Sequence, residues 1–80
     1  MLAWQLTKLY KVAAEIGEDV NNPEGGLTLD TPEDDIVEII VDCANGSAHK
    51  AGIEDPQLLT ERQRERVLEC FYEAARKTAP

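Results

Sequence analysis

The run Ile36-Val-Glu-Ile-Ile-Val41 decides what kind of fold this chain can adopt. Taken alone, its β-branched residues suit a buried strand. The polar residues around it favour a helix. At 100° per residue Asp34, Asp35, Glu38, Asp42, Asn45 and His49 gather on one side, opposite Ile36, Ile40, Cys43 and Ala44. The start is also signalled: Thr31 is placed to cap, Pro32 suits the first helical position, and Asp34 completes a T-x-x-D capping box. Glu33, Asp34 and Asp35 complement the positive end of the helix dipole. A helix is therefore predicted over about 32–50, with Gly46 and Gly52 near its exit.

Two further helices flank it. Leu2, Leu6, Leu9, Ala13 and Ile16 share one narrow face, with Tyr10 at its edge, which predicts a helix over about 2–18. Gly17 weakens its last turn, and Asn21-Asn22-Pro23 followed by Gly25-Gly26 ends it; that glycine pair reads as a turn, since no Lys-Ser/Thr follows to make a phosphate loop. Leu27 and Leu29 lie in the connecting loop, where they can touch the core or form a short extended stretch. Asp55-Pro56 marks a second turn. Thr60, with Gln63 in the capping-box position, opens a third helix over about 60–77, whose buried face is Leu68, Phe71, Ala74 and Ala75 with Val67 and Cys70. Residues 1–80 thus read as a single all-α domain: an antiparallel helical hairpin plus a third C-terminal helix, a small three-helix bundle. A core this small is marginal, and pairing into a homodimer would support it.

Cys43 and Cys70 are far apart, and each falls on an apolar stripe. With no export signal at the start of the sequence, they are expected to be reduced and buried rather than paired, and they lack the C-x-x-C spacing of a metal site. No apolar run is long enough to span a bilayer, so the expected location is the cytoplasm.

Charge narrows the function. Sixteen acidic side chains stand against eight basic ones, a net charge of −8. That balance disfavours direct nucleic-acid binding and anionic membranes alike. The excess is also local: residues 30–57 hold eight acids and one base. Asp34 with Glu38, and Glu38 with Asp42, are like-charge pairs at i, i+4, each unfavourable by a few tenths of a kcal/mol. A solvated face accounts for part of this, and the helix dipole for another part. The sharper reading is an acidic recognition surface, formed by Asp34, Asp35, Glu38 and Asp42, that meets a basic surface on a partner protein. Trp4 projects away from the Leu6/Leu9 stripe, between Lys8 and Lys11. It is either an interface anchor or a residue stacked against Lys8 or the 21–29 loop. Size and charge of this kind fit an inhibitor or accessory protein of a phage or mobile element.

The second reading is a divalent-metal site. Glu15 and Glu18 stand one turn apart near the end of the first helix, and Asp35 and Glu38 one turn apart near the start of the second, with Asp42 beyond. In an antiparallel hairpin the two pairs can converge, and oxygen ligands suit Mg²⁺ or Mn²⁺. Here the chain resembles the MazG-like all-α nucleoside-triphosphate pyrophosphohydrolases over roughly residues 6–55. Their pattern is E-x-x-E, a spacer, then E-x-x-D on the next helix. Glu15 and Glu18 match the first pair, sixteen residues follow, and Asp35 and Glu38 stand at the second pair in reversed order. The stretch His49 to Glu54 is similar to the family's helix exit. The resemblance implies Mg²⁺-dependent nucleotide hydrolysis with Glu15, Glu18, Asp35 and Glu38 as ligands, and Arg62, Arg64 and Arg66 as candidates to grip the nucleotide. Read without it, those arginines interleave with Glu61, Glu65 and Glu69 as on an ordinary exposed helix face. His49, the single histidine, has no nucleophile at useful spacing and reads as a solvated or capping residue. On balance the sequence points to a binding protein rather than an enzyme.

Overall fold

The computed structural model describes residues 2–21, 27–46, 52–53 and 56–79. Among these residues lie three α-helices, α1 (Ala3–Asp19), α2 (Glu33–Gly46) and α3 (Glu61–Lys77), with one 3₁₀ turn at Pro56–Leu58 before α3. Among the described residues there is no strand, so the β-branched run is helical and the domain is all-α, as its periodicity predicts. No described helix is long and apolar enough to cross a membrane. The predicted continuation of α2 to residue 50, His49, and the Asn22–Gly26 turn lie outside the described residues, as does Asp55 of the second turn.

α1 and α3 form the most extensive pair and run parallel. Their partners rise together in number. Ala14 and Glu18 share a groove with Cys70, Glu73, Ala74 and Lys77, and Asn21 donates from Nδ2 to the Ala75 carbonyl at 2.9 Å and to Thr78 Oγ1 at 3.1 Å. Close approach depends on Gly17. A Cβ at that position would overlap the Phe71 carbonyl oxygen and lie 3.0 Å from Ala74 Cβ. Gly17 therefore lets α1 approach α3 closely, beyond any weakening of the last turn.

α2 reverses direction and covers this pair. Its C-terminal Asn45 grips Ile53: Oδ1 accepts from the Ile53 N–H at 2.9 Å, and Nδ2 donates to the Ile53 carbonyl. Beside it Gly52 adopts φ +72, a left-handed conformation suited to glycine, next to the Gln5 side chain in the first turn of α1. The core comprises Leu9, Val12 and Ala13 of α1, Ile36, Val37, Ile40, Val41 and Ala44 of α2, and Val67 and Phe71 of α3, with Leu27, Ile53 and Leu59 from the connections.

The structure differs from the sequence reading at several points. The buried face of α1 is turned toward Val12 and Gly17, leaving Leu2 61% exposed and Leu6, Tyr10 and Ile16 half-buried. α2 packs through Val37 and Val41, so Cys43, expected inside, is exposed; Cys70 is half-buried, and both thiols are free. Thr31 does not cap α2. Its Oγ1 accepts from the Thr28 N–H at 3.2 Å, and the first helical bond runs from the Ile36 N–H to the Pro32 carbonyl at 3.0 Å, which moves the cap to Pro32. α3 starts as predicted, with Thr60 Oγ1 accepting from the Gln63 N–H at 3.1 Å and Gln63 Oε1 accepting from the Thr60 N–H at 2.9 Å.

Candidate functional site

The outer face of α2 is built by its own periodicity. Once Ile36, Val37, Ile40, Val41 and Ala44 turn inward, Asp35, Glu38, Ile39 and Asp42 must face outward. The Thr28–Thr31 turn lays the preceding loop beside this face: the Thr31 N–H donates to the Thr28 carbonyl at 3.2 Å, and Leu27 is buried with 8% exposure. The result is a shallow groove of about 310 Å³ lined by Leu27, Thr31, Asp35, Glu38, Ile39 and Asp42.

Three features give the groove its chemistry. No ion pair engages Asp35, Glu38 or Asp42 among the described residues. Three bases of α3 have acidic partners of their own: Arg64 pairs with Asp34, Arg66 with Glu69 at 3.0 Å, and Lys77 with Glu73 at 3.4 Å. Ile39, 38% exposed, sets an apolar side chain among the carboxylates. The sequence reading did not single out Ile39. The same helical projection could have found it, since Ile39 lies about 200° from both Val37 and Val41.

The other predicted site residues divide among separate places. Asp34 is on the same helix, but its carboxylate is the partner of Arg64 across to α3. Trp4 is 49% exposed, with Lys8 Nζ 5.4 Å from its ring centroid, so it stacks against Lys8 and still presents about half its surface. Glu18 lines the separate α1–α3 groove with Cys70 and Lys77, and Glu15 is exposed on α1. Among the described residues, no group of three His, Cys, Asp or Glu side chains lies close enough to hold a metal. The quartet Glu15, Glu18, Asp35 and Glu38 is thus not gathered into one cleft, because Glu18 turns toward α3 while Asp35 and Glu38 turn away from the core.

In the α1–α3 groove, burial pushes the Cys70 thiol up, with Glu69 and Glu73 adding to the rise and Arg66 opposing it. Burial likewise raises the Tyr10 phenol beside it. A thiol held protonated is a poor nucleophile, so this groove offers no activated cysteine.

No model of a known protein family matches the chain, and neither does any curated protein or solved structure to which it was compared.

Proposed function

We propose that this is a small binding protein whose α2 face, formed by Asp35, Glu38, Ile39 and Asp42, meets a basic surface on a partner protein. The observation that carries this reading is the set of three carboxylates without ion pairs among the described residues, ranged around an exposed isoleucine on a packed helix. Charge of one sign on a rigid helix steers association, and the apolar side chain adds contact area that excludes water. Asp34 contributes less, being held by Arg64, and Trp4 serves as a separate aromatic contact on α1. An inhibitor or accessory protein acting in the cytoplasm fits this description. The MazG-like hydrolase is the alternative, with Glu15, Glu18, Asp35 and Glu38 as Mg²⁺ ligands. It has less support, since the carboxylates occupy different grooves.

Affinity capture from extract of the source cells tests the reading. A protein retained at low salt should be released as salt rises, and the Glu38→Lys/Asp42→Lys double variant should not retain it. Equal capture by the double variant contradicts the assignment. Calorimetric Mg²⁺ binding that disappears in Glu18→Gln would favour the hydrolase instead.

A further inference from the structure

The form of the partner follows from the spacing of the face that meets it. Among the described residues, no other helix packs on the outer surface of α2, which carries Ile39 and Cys43, both exposed, one turn apart along it. Asp35, Glu38 and Asp42 run down one flank. A second copy of the chain does not suit this face, because two such faces would set three carboxylates against three. Nucleic acid is repelled for the same reason. The occupant must bring cations on one flank and apolar groups beside them.

Axial spacing then discriminates between a helix and a strand. At about 1.5 Å rise per residue, Asp35 and Glu38 are about 4.5 Å apart along the axis, and Glu38 and Asp42 about 6 Å. A strand presents same-face side chains about 6.6 Å apart and meets only one of these steps. A second helix lying along α2 reproduces both with residues at i, i+3 and i+7. Its apolar stripe would pack on Ile39 and Cys43.

Resting on the reading that this face is the binding surface, we propose that its ligand is an amphipathic helix of a partner protein, with Lys or Arg at i, i+3 and i+7 beside an apolar stripe. The probes are two dye-labelled, amidated peptides of identical composition. One places its leucines on a single helical stripe with lysines at that spacing down one flank; the other carries the same residues in an order that breaks the stripe. Fluorescence anisotropy should show the patterned peptide binding at least ~tenfold more tightly. Ile39→Asp and the milder Ile39→Ala should narrow that gap, and Glu15→Gln on the far helix should leave it unchanged. Circular dichroism checks that each variant remains folded. If both peptides bind equally, and both are lost in Glu38→Lys/Asp42→Lys, the helix inference is overturned and the acidic-face reading stands. If neither binds, both are overturned. An undiminished gap in Ile39→Asp also contradicts the proposal.

Discussion

Gly17 and Asn45 each fix a junction that helix patterning alone does not specify. Replacing Gly17 by Ala gains about 1 kcal/mol of helix propensity. It also forces a methyl group into the Phe71 carbonyl, and backbone has little room to yield. Overpacking of that kind costs about 1–3 kcal/mol, so Gly17→Ala is expected to be net destabilising, with a lower midpoint in urea unfolding. Asn45→Ala removes the two hydrogen bonds that hold Ile53 and leaves both backbone groups in need of water, a loss of about 2 kcal/mol by the same measurement. Ionisation makes a third prediction. Cys70, Tyr10 and Tyr72 all have raised pKa values, first through burial. A folded pKa above the unfolded one means the native state binds more protons, so stability falls as pH rises through that range. The ordinary values are 9.0 for the thiol and 10.0 for the phenols, which places the fall in the alkaline range above 9.0. Unfolding midpoints measured from neutral to alkaline pH should decline there, and less steeply in Cys70→Ala.

At the scale of the elements, the cap of α3 is the clearest local determinant. Thr60→Ala loses the bond to the Gln63 N–H and should cost about 1 kcal/mol, seen as faster amide exchange in the first turn of α3. That cap was legible in the sequence because S/T-x-x-E/Q names its own partners three residues apart. The same logic failed for Thr31, because Thr28 competes for its hydroxyl and the motif does not weigh competitors. Periodicity resolved the β-branched run correctly into a helix. It left the facing of α2 uncertain by one position, and so placed Cys43 inside in place of Val37 and Val41. Which of two adjacent apolar stripes turns inward depends on the neighbouring helices, and that is long-range information. The approach of α1 to α3 through Gly17 is likewise a property of the pair.

For the whole molecule, the net charge of −8 has a definite geography. α3 carries its own bases and pairs two of its acids in place, through Arg66–Glu69 and Lys77–Glu73. α2 carries no base, and among the described residues only Asp34 receives one from elsewhere. The acidic side of α2 was legible in the sequence as Asp34, Asp35, Glu38 and Asp42 at helical spacing. Its apolar contact and its separation from Glu15 and Glu18 depended on how the helices pack. The central claim is that this face of α2 is where a basic partner lands. The most direct test is to follow backbone amide shifts of the isotopically labelled protein during titration with the patterned basic peptide. The account predicts that the largest shifts cluster at Leu27, Asp35, Glu38, Ile39 and Asp42 and shrink as salt is added. Shifts centred on Trp4 or on the Glu18–Cys70 groove, with α2 unmoved, would contradict it.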